Sequence, residues 1–378
     1  MQSTDELVPS VVKSTLGKYY KKVFYIGNGD WFPAKKLFDK FKSFDIQNHF
    51  KHKYEKTAVI IYHGEPFYYT PGSDVPLQAV NILDIINKCS IFSTDFFILG
   101  YHDAEKNIVK FLNENLNHFH NKFYHIPIDN FHHFNDLIPE EKEMNLQKVK
   151  YNFSYLGYNH RMHRILFSKF LIKEQLYKNN LVSFSTRKNY HIKEDTKEKE
   201  DLIGIPTYNR DHWAYDNEIL DLFDSAELFD YTHPEVDNSK PDNNPIQDFI
   251  KKACVHVVSE TIFNYPFPNF NEKMIQAINA KRPFVILGPA GSLQRLKCLG
   301  YRTFPTVIDE SYDQIQNPND RLKKVITCVK ELAGRDIEDL KTQINSIKDV
   351  LDHNYELFYQ KRKGLRKTLE SSIISICQ

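Results

Sequence analysis

Several residues able to hold or move charge stand where apolar runs of this chain give out. Glu260 follows the β-branched run 255–258, and Glu272-Lys273 opens a helical pattern in which Met274, Ile275 and Ile278 recur. A run of that length and composition has the character of a buried strand, so a carboxylate stands at its carboxyl end. Asn271 is placed as the N-cap of the helix, with Glu272 in the first turn, where the helix dipole favours an acid. Residues 283–287 form a second such strand, and Gly288-Pro289-Ala290-Gly291 turns into another short helix. In an open parallel sheet, ligands sit beyond the carboxyl ends of the strands. A glycine turn leading into a helix N-terminus can also receive phosphate oxygens. An ordinary α/β packing unit would carry the same local signals, and the residues alone leave both readings open.

Two further places repeat the arrangement of strand followed by charged turn. The run 58–62 leads into His63-Gly64-Glu65-Pro66, which puts Glu65 and His63 at a strand end. A carboxylate there can act as general base if an acceptor hydroxyl comes within hydrogen-bond reach; a loop acid beside a turn proline is the plainer alternative. The run 151–156 leads through Gly157 to Arg161, and a helical pattern with Met162, Ile165, Leu166 and Phe170 on one face follows, with Arg164 one turn on. A planar guanidinium grips phosphate oxygens and keeps its charge, although basic residues in a first helical turn are often simply solvated. The histidines at 118, 120, 125, 132 and 133 fit no standard metal spacing, and no D-x-D triad occurs.

The segment holding Glu260, the aromatic loop 263–270, Glu272-Lys273, the strand 283–287 and Gly288-Pro289 resembles the donor-binding region of α-1,3-fucosyltransferase-like glycosyltransferases. Exostosin-type transferases share it more loosely. Residues 293–304 and 308–313 resemble a pattern that recurs in viral and bacterial members of the group. One position departs from it: Asn271 stands where the family usually has Thr. The resemblance implies an α/β protein of GT-B fold, with two Rossmann-like domains whose parallel sheets face a central cleft. It implies an inverting transfer from a nucleotide sugar to an acceptor hydroxyl, without a metal and without a tightly bound cofactor. On this basis Arg161, Arg164, Glu260, Asn271, Glu272, Lys273 and Gly288 would bind the donor. Lys273 would face the leaving phosphate, and Glu260 would accept from ribose or sugar hydroxyls. Glu65-Pro66 corresponds to the Glu-Ser-Pro-like element whose glutamate would be the base, with His63 as a second choice. The acceptor would be a glycan, or a hydroxymethylated base in DNA. A catalytically silent nucleotide- or glycan-binding protein of the same fold remains the alternative, because fold alone does not fix activity.

The elements that must hold these residues need two α/β cores, for which 378 residues suffice. Strands at 23–27, 96–101 and 123–126, with a helix near 106–116, continue the alternation expected of a parallel sheet. The boundaries expected are an acceptor domain over 1–148, a donor domain over 149–340, and helices over 341–378 that cross back to the first domain. A charged helix is expected over 139–147, and long helices over 322–332 and 337–359. Fifty basic residues against forty-nine acidic give a formal charge of +1, which draws the chain towards neither nucleic acid nor membrane. Five scattered cysteines indicate free thiols in a reducing compartment. No apolar run approaches a bilayer span and no secretory leader is evident, so a soluble cytoplasmic protein is expected.

Overall fold

The apolar runs become parallel strands in both halves of the chain. The structure, a computed structural model, describes residues 4–28, 57–63, 83, 94–100, 103–115, 122–127, 143–157, 161–184, 219, 226–235, 245–265, 267–268, 270 and 272–378. In chain order, a helix (Thr4–Leu16) precedes β1 (Lys22–Asn28), β2 (Thr57–His63) and β3 (Thr94–Gly100), and a helix (Asp103–Asn115) leads to β4 (Lys122–Pro127). Then come β5 (Tyr151–Gly157), a helix (Met162–Lys173), β6 (Leu181–Phe184), a helix (Pro245–Lys251) and β7 (Ala253–Ser259). A helix (Glu272–Asn279) leads to β8 (Phe284–Leu287), and the helices Ser292–Cys298, Pro318–Ala333, Ile337–Ser346 and Lys348–Cys377 follow. The chain divides into two compact units, Met1–Asn135 with Gln360–Gln378, and Asp136–Tyr359. Each unit is built on a parallel sheet with helices, so the protein is α/β with two Rossmann-like units.

In the first unit the strands lie in the order β1-β2-β3-β4, without reversal among the described strands. Successive side chains of a strand face opposite sides. Ala58, Ile60, Phe97, Leu99 and Ile126 accordingly share one core with Val11, Val12 and Leu16 of the first helix and with Leu365, Leu369 and Ile373 of the last. The spacing of the last three is one helical turn each, which lays a single apolar stripe on the sheet. The first helix was not expected from the sequence, because Pro9 interrupts its pattern. Asn113 secures the helix Asp103–Asn115 to β4 by accepting from the Phe123 amide and donating to its carbonyl, both at 3.1 Å.

The second unit has the order β6-β5-β7-β8, all parallel. The chain builds outward from β5 to β6 and then returns to the other side of β5, so its direction of winding reverses between β5 and β7. β6, β7 and β8 are buried along their whole length, as a sheet covered on both faces requires. The expected helix over 139–147 is absent from its described part: residues 143–150 are irregular, and the Asn145 carbonyl accepts from Arg282. The helix expected over 337–359 breaks at Ile347 (φ −108, ψ 21), and the one beyond it runs thirty residues. Pro245–Lys251 is a short helix beginning at a proline, where a missing N–H costs nothing.

Among the described residues, no helix is long and apolar enough to cross a membrane, and no group of three or more His, Cys, Asp or Glu could hold a metal ion. Cys254, Cys298, Cys328 and Cys377 are free thiols.

At the centre of the second sheet, His256 of β7 faces Ser154 of β5, with Nδ1 2.9 Å from the hydroxyl. Burial pushes this imidazole down to about 3, against a smaller opposing hydrogen-bond effect at Ser154. The folded chain therefore keeps His256 neutral through a range in which the unfolded chain, near 6.5, takes up a proton. Stability from this group is complete above pH 6.5 and is lost as pH falls towards 3, at about 1.4 kcal/mol per pH unit. Urea unfolding of the second unit should lose about 1 kcal/mol between pH 6 and pH 5 from this residue. His256→Gln should flatten that slope; an unchanged slope in the variant would refute the assignment.

Candidate functional site

The strand order reverses between β5 and β7, and beyond the carboxyl ends at such a switch point doubly wound sheets have their ligand crevice. β5 ends at Gly157, where a Cβ would lie 2.5 Å from the Tyr155 hydroxyl, so only glycine lets the chain turn past that ring. The helix Met162–Lys173 then starts at the crevice, with Arg161 as its extended N-cap residue (φ −122, ψ 140) and no side-chain cap. Its first turn carries positive charge twice over, from the amino end of the helix dipole and from Arg161.

β7 ends at Ser259-Glu260 on the facing side. Arg164, buried, donates from Nε to the Ser259 hydroxyl (3.0 Å) and from Nη2 to the carbonyls of Ser259 (3.1 Å) and Glu260 (2.8 Å). His163, also buried, donates from Nε2 to the Glu260 carbonyl at 3.1 Å. Burial lowers the Arg164 pKa; Tyr155 opposes this, Arg161 adds to it, and the carboxylates of Glu260 and Glu272 restore part of it. Arg164 thus lies within the fields of Arg161, Glu260 and Glu272 together. Burial by itself would raise the Glu272 carboxyl, but Lys273, bonded to it at 2.7 Å, and the charge of Arg164 bring it below its ordinary value. The Tyr155 phenol is pushed up to about 12 by burial, against Arg164 and the hydroxyls of Ser168 and Ser259.

Of the residues singled out in the sequence, Arg161, Arg164, Glu260, Glu272 and, through its ion pair, Lys273 come to one place. Gly288 joins them: a Cβ on it would lie 3.1 Å from Glu260 Cγ, 3.2 Å from Glu260 Cβ and 3.0 Å from Ile286 Cγ2. Glu260 is fully buried. His63 closes β2, and Glu65 and Asn271 lie outside the described residues, as does the side chain of His63.

One expectation is corrected. The turn Gly288–Gly291 does not offer its following helix to a phosphate. The amides of Leu293 and Gln294 donate to the Asp313 carboxylate at 2.8 and 3.0 Å, and the Gly291 amide donates to the Asp313 carbonyl at 2.7 Å. A carboxylate of the protein already fills that anion position. Sequence reading also missed His163, Asp313 and Arg321. Arg321 follows the legible helix start Asn317-Pro318, but nothing local tells that its guanidinium reaches Gly288 and Phe263.

No family model matches the chain, and no curated protein matches it. Solved structures do. A chain of the GtfA/B complex matches with a TM-score of 0.38 and 12% identity, over 98% of this chain and 59% of that one. A UDP-forming α,α-trehalose-phosphate synthase from Burkholderia xenovorans matches with a TM-score of 0.42 and 10% identity, over 91% of this chain and 79% of that one. The corresponding synthase from Burkholderia vietnamiensis matches with a TM-score of 0.44 and 10% identity, over 88% and 70%. The fold assignment itself rests on the strand order: a pair of parallel α/β sheets, one of them with a switch point between β5 and β7.

Because Gly288 lies against Glu260 without a positive φ, its need is for space. Gly288→Ala should destabilise the second unit by about 1–3 kcal/mol, the usual cost of overpacking. Chemical denaturation measures it, and a variant as stable as the parent would show that Glu260 has room to retreat.

Proposed function

We propose that this protein is a glycosyltransferase of the GT-B type that moves a sugar from a nucleotide-sugar donor to an acceptor hydroxyl, with inversion and without a metal. One observation carries the reading: Arg161, Arg164, Glu260 and the Glu272–Lys273 pair gather at the switch point of the second sheet. The resemblance of Glu260, Glu272-Lys273 and Gly288-Pro289 to the fucosyltransferase-like donor region supports the same site.

In this reading Arg161 and the amino end of the helix Met162–Lys173 hold the diphosphate. Lys273 meets the charge that develops as the sugar–phosphate bond breaks and the diphosphate leaves with the electron pair. Preorganised cations placed where that charge appears lower the barrier directly. Glu260 and Glu272 orient the donor, while Arg164 fixes the backbone from which Glu260 projects. The acceptor oxygen attacks the anomeric carbon as its proton passes to a general base. Glu65 is proposed for that role, with His63 as the second choice, and a glycan hydroxyl is the acceptor proposed.

Titration calorimetry of the full chain with UDP, GDP and CDP tests the reading. One of the three should bind, and Arg161→Ala and Lys273→Ala should each weaken it about tenfold or more, the loss expected of a charge-assisted hydrogen bond. Glu65→Gln should keep nucleotide binding and lose transfer. Absence of binding by the parent chain, or unchanged binding in both alanine variants, refutes the assignment.

A further inference from the structure

The crevice is held in shape by a residue far from it in sequence. Arg321, 2% exposed at the start of the helix Pro318–Ala333, donates from Nε to the Gly288 carbonyl (3.2 Å) and from Nη2 to the Phe263 carbonyl (2.9 Å). From Nη1 it donates to the carbonyls of Ile315 (2.7 Å) and Gln316 (2.9 Å). One guanidinium therefore joins the turn after β7 to the turn after β8. The same group lies 4.5 Å from the centre of the Phe263 ring. On the ring's other contact, His163 stacks at 5.6 Å and 19°. His163 in turn donates to the Glu260 carbonyl, and it stands two residues after Arg161.

We propose that Arg321 is a positioning residue for the donor crevice, acting through the stack Arg321–Phe263–His163 on Glu260 and on the helix start that carries Arg161. This rests on the function proposed above. The arrangement has a direction: Arg321 directs its bonds to backbone carbonyls, so it sets where others stand and does not touch the donor. It also has a chemical requirement. Only a planar guanidinium can donate in several fixed directions while its cation sits over an aromatic ring; an ammonium lacks that fork. Arg321→Lys thus preserves charge and removes geometry. Phe263→Leu preserves apolar volume and removes the stack without altering charge.

The experiment measures affinity for the nucleoside diphosphate that the parent chain binds, together with thermal unfolding. The proteins compared are the full-length parent, Arg321→Lys, Phe263→Leu and the control Arg282→Lys. Arg282 is equally buried but holds the opposite, amino end of β7, so its loss reports general destabilisation alone. Arg321→Lys and Phe263→Leu should bind about tenfold more weakly at temperatures where each is fully folded. Arg282→Lys should lose thermal stability while keeping the parent's affinity. Should Arg321→Lys fail to fold, the affinity of Phe263→Leu decides the matter. Folded variants with affinity within twofold of the parent overturn the inference and leave the proposed function standing. If Arg282→Lys weakens affinity equally, the effect is general softening and the inference is overturned. A parent chain that binds no nucleotide removes the function first, and this inference with it.

Discussion

The central strand of the second unit, β7, is held at each end by a buried arginine. At its start, Arg282, 1% exposed, donates from Nε to the Ala253 carbonyl at 2.8 Å. Its two terminal nitrogens reach the carbonyls of Ala280, Lys281, Asn145 and Lys251. At its end, Arg164 holds Ser259 and Glu260. Burying a charge costs several kcal/mol unless its hydrogen-bonding capacity is met. Here it is met by carbonyls that would otherwise be stranded, since the helices Pro245–Lys251 and Glu272–Asn279 both end at Arg282 and the last carbonyls of a helix have no partner within it. Those ends also carry the negative pole of each helix, which favours a cation. Burial lowers Arg282 only to about 10, so it stays charged at neutral pH. The place of Glu260 is set at the carboxyl end of the strand by Arg164, while Arg282 secures the opposite end.

From it follows a division of labour among the arginines near the crevice. Arg164 and Arg321 direct their donors to backbone carbonyls and so fix the turns after β7 and β8. Arg161, at the helix start, is buried too, at 8% exposure. The carboxylates of Glu260 and Glu272 keep the site from being a bare cationic hole. A site of that mixed kind suits a ligand that is anionic at one end and rich in hydroxyls at the other, because carboxylates accept from hydroxyls while the cations meet phosphate.

Much of this was legible in the sequence, for identifiable reasons. Short apolar or aromatic runs ending in a charged residue or glycine announced β5, β7 and β8 and placed Arg161, Glu260 and Gly288 beyond their carboxyl ends. Buried parallel strands leave an unusually clear local signal. The first helix was hidden by Pro9, and the irregular residues 143–147 read as helix because their charged pattern says nothing of the Arg282 bond that pins them. What could not be read were contacts between residues far apart in the chain. Arg321 to Gly288, Asp313 to Leu293, and His163 to Glu260 depend on the strand order, and the reversal between β5 and β7 has no counterpart in local pattern. The sequence also put weight on the wrong glycine turn, since a turn into a helix looks the same whether its amides are open or already occupied.

That last point decides where an anion would sit. Two helix starts lie beyond strands of the second sheet that the sequence marked as phosphate positions, one after β5 and one after β8. The start after β8 is closed by the Asp313 carboxylate. An arriving phosphate would have to displace it against two backbone hydrogen bonds and would meet a like charge. At the start after β5, the helix runs twelve residues, and Arg161 stands at its N-cap position without capping it through its own side chain. Both the dipole and the side-chain charge there favour an anion. Of these two helix starts the one after β5 is electrostatically the more favourable to an anion, and Gly288 lies against Glu260, giving it room.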